Sequence, residues 1–282
     1  MNILVLTDFS DIAERGLKEA VSLASQFGNA EIFLLNTELG PEGTDFTATG
    51  DLYYKDDPEE DAFMVALIRK NKGLLQNLQQ KFQGNGVSIK PYLEVGPMQK
   101  IVDNFLDKHK IDLVVMGTSG ENTMQEYFVG NHTEQVIKVA NVPVLSVKTT
   151  DKASTANTIL VATDMHDHAY PGLAHIRKIG EKLNASLHLV HVTKNDVDGH
   201  MKKLDRYAKE HNLRNYTPAV IEDNDTEDGI KRYAAKIGAD MIAVVTHGRT
   251  GLSSLLSHSV AHDIIREASV PVLTVNMSNL ND

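Results

Sequence analysis

The chain has 282 residues, 41% hydrophobic and 23% charged, with a formal net charge of -10. Such a length accommodates two ordinary domains, each able to bury its own core, and the acidic balance argues against a nucleic-acid backbone or an anionic membrane as main partner. With no cysteine there is no disulfide framework and no thiol-based zinc or redox site, and with no basic-then-apolar leader or membrane-length apolar run the expected location is cytoplasmic.

Read in chain order, strand and helix signals alternate. Asn2 to Thr7 is a short apolar run ending at Asp8, and Ser10 then caps a helix carrying Ile12, Leu17, Val21 and Ala24 at helical spacing. Gly28 and Asn29 stop that helix, and residues 31–37 read as the next strand. Residues 60–82 read as a long helix, 87–95 as a strand, 98–109 as a helix, and 113–117 as the wholly apolar kind of strand that parallel sheets bury. Residues 131–140 are expected as the last helix of this half, and 142–147, carrying Pro143, as its last strand. The same order repeats from Thr158. The Gly-, Asp- and Thr-rich stretch 38–59 has no counterpart of similar length in the second half.

The repeat is also literal. Residues 112–147 align without a gap on residues 240–275 at a constant offset of 128, and Ile3 to Asp8 aligns on Ile159 to Asp164 at an offset of 156. This is a tandem of two related domains. The expected boundaries are 1–148 for the first, 149–156 for a linker, and 157–282 for the second. Alternation on this scale implies right-handed crossovers and doubly wound α/β sheets. The two last strands, both apolar, are expected to cover each other within the chain rather than leave exposed edges.

In such sheets the binding crevice lies beyond the carboxyl ends of the strands, where strand order reverses. Here that places Asp8 and the loop from Met116 through Gly117 and Gly120 at the crevice. Two glycines three apart, then nine residues, then Gly130-Asn131 at a helix start, outline a phosphate cradle: bare backbone N–H groups and a positive helix end suit an anion. The spacing is neither the P-loop nor the dinucleotide fingerprint.

These residues carry a resemblance. The opening ILVLTDFSDIAERGLKEAVSLA, the pair VMGTSG with Gly130, and the second half's VVTHGRTGLSSLL with ASVPVLTV are similar to the universal stress protein family, over essentially the whole chain. The resemblance implies, in each half, a five-stranded parallel sheet of order 3-2-1-4-5 with helices on both faces, and ATP across the switch point. It implies that Asp8 and Thr37 face the base and that Met116, Gly117, Gly120, Gly130 and Asn131 surround the phosphates. Asn131 departs from the usual Ser or Thr, but can still cap a helix and donate to a phosphate.

The second half has lost this pattern: Val245 stands for Gly117 and His258 for Gly130, leaving Gly248 and Ser259. It has gained histidine, with ten of 12 His after residue 150. His258 and His262, four apart, with His166 and His168 across the crevice, are compatible with a zinc-type site, against the plainer reading of solvent-facing loop positions. Three function classes follow: an adenine-nucleotide-binding regulatory protein acting on a protein partner, a non-nucleotide adaptor with vestigial crevices, and a slow ATP hydrolase. The last lacks support, since no Walker-type Lys and no base poised at a phosphate is visible, and residues 121–129 contain no Lys or Arg.

Overall fold

The computed structural model describes residues 1–39, 45–46, 52–53, 58–84, 86–118, 126–148, 156–165, 169–213, 215–246 and 258–280. In the first half the elements run β1 (Asn2–Leu6), α1 (Asp11–Phe27), β2 (Glu31–Glu38), a small antiparallel pair β3 (Asp45–Phe46) and β4 (Leu52–Tyr53), α2 (Pro58–Phe82), β5 (Ser88–Val95), α3 (Met98–His109), β6 (Leu113–Gly117), α4 (Glu126–Val139) and β7 (Val144–Val147). The second half runs β8 (Thr158–Ala162), α5 (Tyr170–Leu183), β9 (Ser186–Thr193), α6 (Val197–Glu210), β10 (Tyr216–Glu222), α7 (Thr226–Ile237), β11 (Met241–Thr246), α8 (His258–Glu267) and β12 (Val272–Asn276).

Each half forms a parallel sheet of order 3-2-1-4-5: β5-β2-β1-β6-β7 in the first and β10-β9-β8-β11-β12 in the second. Both faces are covered, and the period-two alternation of the strands sorts residues between them. Ile3 and Val5 of β1 enter the core under α1, α2, α5 and α6, with Leu17, Leu23, Ile176 and Leu204. Leu4 and Leu6 face the other way, into the core under α3, α4, α7 and α8, with Val102, Val136, Ile230 and Ile264.

The two halves join through their last strands. β7 and β12 pair antiparallel, with Leu145 opposite Leu273, Val144 opposite Thr274 and Ser146 opposite Val272. Leu145 and Leu273 are equivalent positions of the duplication, so the pseudo-two-fold axis passes between them and the ten strands make one sheet. The contacts flanking this axis are related in the same way. Lys148, buried just past β7, donates through Nζ to the carbonyls of Arg266 and Ala268 at the end of α8. In return Asn276 donates to the Ile137 carbonyl at 3.0 Å, and Asn279 to the carbonyls of Lys138 and Ala140 at the end of α4. Each domain thus satisfies the orphan carbonyls at its neighbour's helix terminus, with a cation suited to the dipole in one direction. The outermost strands carry prolines at matching register: Pro91 of β5 lies beside Leu34, and Pro218 of β10 beside Leu189.

One helix start differs from the sequence expectation. Helix α4 begins at Glu126, so Gly130 and Asn131 sit in its second turn rather than at its start. A single glycine inside a helix costs only about 1 kcal/mol, and nothing else in residues 126–131 is a helix breaker.

Candidate functional site

Beyond the carboxyl ends of β1, β2 and β6 lies a cleft of about 640 Å³. Thr7 and Asp8 reach it from β1, Thr37 and Glu38 from β2, Met116 and Gly117 from β6, Pro97 and Met98 from the start of α3, and His132 and Gln135 from α4. Four residues expected at the crevice from sequence (Asp8, Thr37, Met116 and Gly117) therefore do converge on one cavity. Gly120 lies outside the described residues, and Gly130 and Asn131 are the helix-interior positions noted above.

The turn that presents Asp8 is built from short-range polar contacts. The Ser10 N–H donates to Asp8 Oδ1 at 3.0 Å and the Phe9 N–H to the Thr7 hydroxyl at 3.1 Å, with Phe9 at φ 66°. Ser10 caps α1 by accepting from the Ala13 N–H at 3.2 Å. Asp8 is thus both a turn residue and a lining residue. Behind it, fully buried Asn36 donates to the Thr7 carbonyl at 2.9 Å, and Asn71 of α2 donates to Asn36 Oδ1 at 3.3 Å and to Glu38 Oε1 at 2.6 Å. This network locks the ends of β1 and β2 together and holds the Glu38 carboxylate at the cleft wall.

Gly117 has a different reason for being glycine than anion approach. A Cβ on it would lie 2.3 Å from the Ile12 carbonyl oxygen and 2.5 Å from the Ile12 carbonyl carbon. Gly16, one turn further along α1, would likewise place a Cβ 2.9 Å from the Gly117 nitrogen. The pair lets the first turns of α1 lie directly on the end of β6, which makes Ile12 and Ala13 part of the cleft wall.

In the second domain Val245 fills this place, buried against Gly172, whose added Cβ would meet Val245 Cγ1 at 2.8 Å. Helix α5 starts at Tyr170, the equivalent of Glu14, three residues later than α1. A side chain at this position and a helix turn pressed against the strand end exclude each other. Asp164, the equivalent of Asp8, is buried, and His191 takes the place of Asn36, its Nδ1 lying 3.0 Å from the Thr163 carbonyl. His191 stacks on His200, and burial holds its imidazole below the usual pKa.

The histidine grouping compatible with zinc finds no support among the described residues. His262 faces the seam between the domains, with Nε2 3.1 Å from Glu134 Oε1 and Nδ1 3.5 Å from Asp263 Oδ1, so both its nitrogens are taken up by carboxylates. Glu134 is its equivalent in the first domain, and the two meet across the pseudo-two-fold axis. His258 begins α8, while His166 and His168 lie outside the described residues. Among the described residues no group of three or more His, Asp or Glu is placed to hold a metal ion, and no helix is long and apolar enough to cross a membrane.

His132, Gln135 and Glu38 were not anticipated. Their exposure to the cleft depends on how α4 and the end of β2 are rotated, although one signal existed: at the offset of 128, His132 stands where the second domain has Val260.

A doubly wound α/β tandem, with its cleft at the strand-order reversal of the first domain, is the class these features define. The model of the universal stress protein family matches residues 1–148 and 155–276, and the chain belongs to that family. A universal stress protein of Methanocaldococcus jannaschii is 31% identical over 151 residues, spanning 52% of this chain and 81% of the relative. One of Synechocystis is 23% identical over 296 residues, spanning 97% of this chain and 99% of the relative. Among solved structures, a universal stress protein from Archaeoglobus fulgidus superposes with a TM-score of 0.74 at 18% identity, covering 98% of both chains.

Proposed function

We propose that the first domain binds an adenine nucleotide, ATP in the simplest case, and that the protein is regulatory rather than catalytic. The observation that carries this is the cleft of about 640 Å³ in which Asp8, Thr37, Met116 and Gly117 converge at the switch point. Its size lies within the usual range for small-molecule pockets, and its polar groups are few and fixed. In this reading Asp8 and the Thr37 backbone take the base side, and the phosphates lie toward Gly117 and the lining residues of α4. No lysine or arginine lines the cleft among the described residues, which leaves no cation to neutralise charge building up in phosphoryl transfer. In the second domain, buried Val245 and buried Asp164 stand against an equivalent site. The domain division follows the duplication, with residues 149–156 as linker, and the regulated partner would be a protein.

Calorimetric titration of ATP with magnesium into the full chain tests this. One site per chain is expected. Asp8→Ala should weaken it at least tenfold, by removing the carboxylate and the Ser10 hydrogen bond together. Asp8→Asn, which keeps an oxygen for Ser10, should retain the turn and isolate the effect of the charge. Two equal sites, or no heat at millimolar nucleotide, would overturn the proposal.

A further inference from the structure

The first domain's cleft is unusually short of positive charge for an anion site. Among its described lining residues the formally charged ones are Asp8 and Glu38, both acidic, and the sequence from Thr118 through Asn131 contains no lysine or arginine. Among these described lining residues the one group able to become cationic is His132. Its place in the duplication is informative, because the equivalent Val260 is a buried core residue of α8. At that helix position the fold is content with an apolar side chain turned inward. The first domain instead carries an exposed imidazole that lines the cleft. Packing does not call for this change.

We propose that His132 is the phosphate-binding, specificity-determining residue of this cleft, and that its protonation sets the affinity for nucleotide phosphate. The inference rests on the adenine-nucleotide reading above. Imidazolium donates a charge-assisted hydrogen bond to a phosphate oxygen, whereas neutral imidazole offers at best an uncharged one. The other charged groups among the described lining residues are Asp8 at the end of β1 and Glu38 at the end of β2. Helix α3, packed on α4, contributes only uncharged Met98 and Gln99 to the lining, and α4 itself adds Gln135. An imidazole changes charge between about pH 5 and 8. Asp8 and Glu38 oppose the ligand's charge, and among the described lining residues His132 is the group able to offset it. The cleft therefore tightens on nucleotide phosphate as the pH falls.

The experiment uses the full chain and two probes. Adenosine 3′,5′-cyclic monophosphate is a phosphodiester whose single charge does not titrate in the window, and adenosine is its uncharged control. The proteins are wild type, His132→Val, which installs the second domain's residue, and His132→Gln, which keeps a neutral donor. Wild type should bind the cyclic nucleotide about tenfold more tightly at about pH 5.5 than at about pH 8, the size of one charge-assisted contact. Adenosine binding should be flat, and both variants should lose the pH dependence while binding adenosine as wild type does. Titration of second-domain histidines is common to all three proteins and cancels in the comparison. A pH dependence that survives in both variants, or that adenosine shares, overturns the role of His132 alone. Failure of either probe to bind any of the proteins at any pH overturns the nucleotide reading and this inference with it.

Discussion

Replacing Gly117 by alanine adds a single methyl group, at the most crowded of the first domain's described glycines. The new Cβ would lie 2.3 Å from the Ile12 carbonyl oxygen, 2.5 Å from its carbon and 2.7 Å from Ile12 Cγ2. Two of these three atoms are backbone, so no rotamer change relieves the clash, and the first turn of α1 must lift from β6 by roughly 1 Å to restore ordinary contact distances. Overpacking of this kind costs about 3 kcal/mol, or a fall of roughly 6–12 °C in the melting temperature of the domain. The lift also moves Ile12 and Ala13, which line the cleft, so nucleotide affinity should fall together with stability. Gly73→Ala is the matched control: it makes the same chemical change inside α2, where an added Cβ meets nothing within 4 Å. That substitution should stabilise by about 0.5–1 kcal/mol, because alanine loses less chain entropy than glycine in a helix. Thermal and urea unfolding of both variants, with ligand titration of each, reads the comparison. If Gly117→Ala unfolds within about 0.5 kcal/mol of wild type, the steric reading of this glycine is refuted, since ordinary surface changes fall in that range.

Two further outcomes follow from the seam and from the second domain. Lys148→Met keeps the buried stem but removes the donor shared by the Arg266 and Ala268 carbonyls; it should cost about 1–3 kcal/mol in urea unfolding of the full chain, as for other buried polar groups left unpaired. His191 is held neutral by burial, so its folded pKa lies below its unfolded one and the unfolded chain takes up the extra proton as pH falls through the ordinary imidazole value. Stability should thus decline from about pH 7 towards pH 5. His191→Asn, which installs the first domain's residue at this place, should make the melting temperature less pH-dependent over that range, with His109, His175 and His188, also lowered by burial, contributing to the slope that remains.

Much of this molecule was legible before any coordinates, for identifiable reasons. Strand alternation and the duplication survive in sequence because buried parallel strands such as Leu113–Gly117 tolerate little but apolar residues. The switch-point rule then pointed to Asp8, Met116 and Gly117 at the crevice without side-chain detail, and the family resemblance added Thr37. The physical reason for Gly117 was not legible, because its crowding comes from Ile12, more than a hundred residues earlier in the chain. The start of α4 was misplaced because Gly130-Asn131 is a strong boundary signal locally, while a helix running through glycine leaves no mark in sequence. His262 looked like a ligand beside His258, but its neighbours are set by the seam, where Glu134 meets it from the other domain. Lys148, Asn276 and Asn279 serve helix ends in the opposite domain, and no local pattern announces a partner so far away in the chain.

The matched prolines of the outermost strands, Pro91 and Pro218, give the ten-stranded sheet a definite stoichiometry. A strand recruits another through its free N–H groups, and proline interrupts that row on both outer flanks. The two inner edges, the ones suited to adhesion, are spent on each other within one polypeptide. Strand addition is thus disfavoured at both outer flanks. The seam also closes by a first-order step, independent of how much protein is present, because the linker supplies the effective concentration that separate subunits must obtain from abundance. A ligand-dependent change passed across this seam would read the concentration of the ligand and not that of the protein.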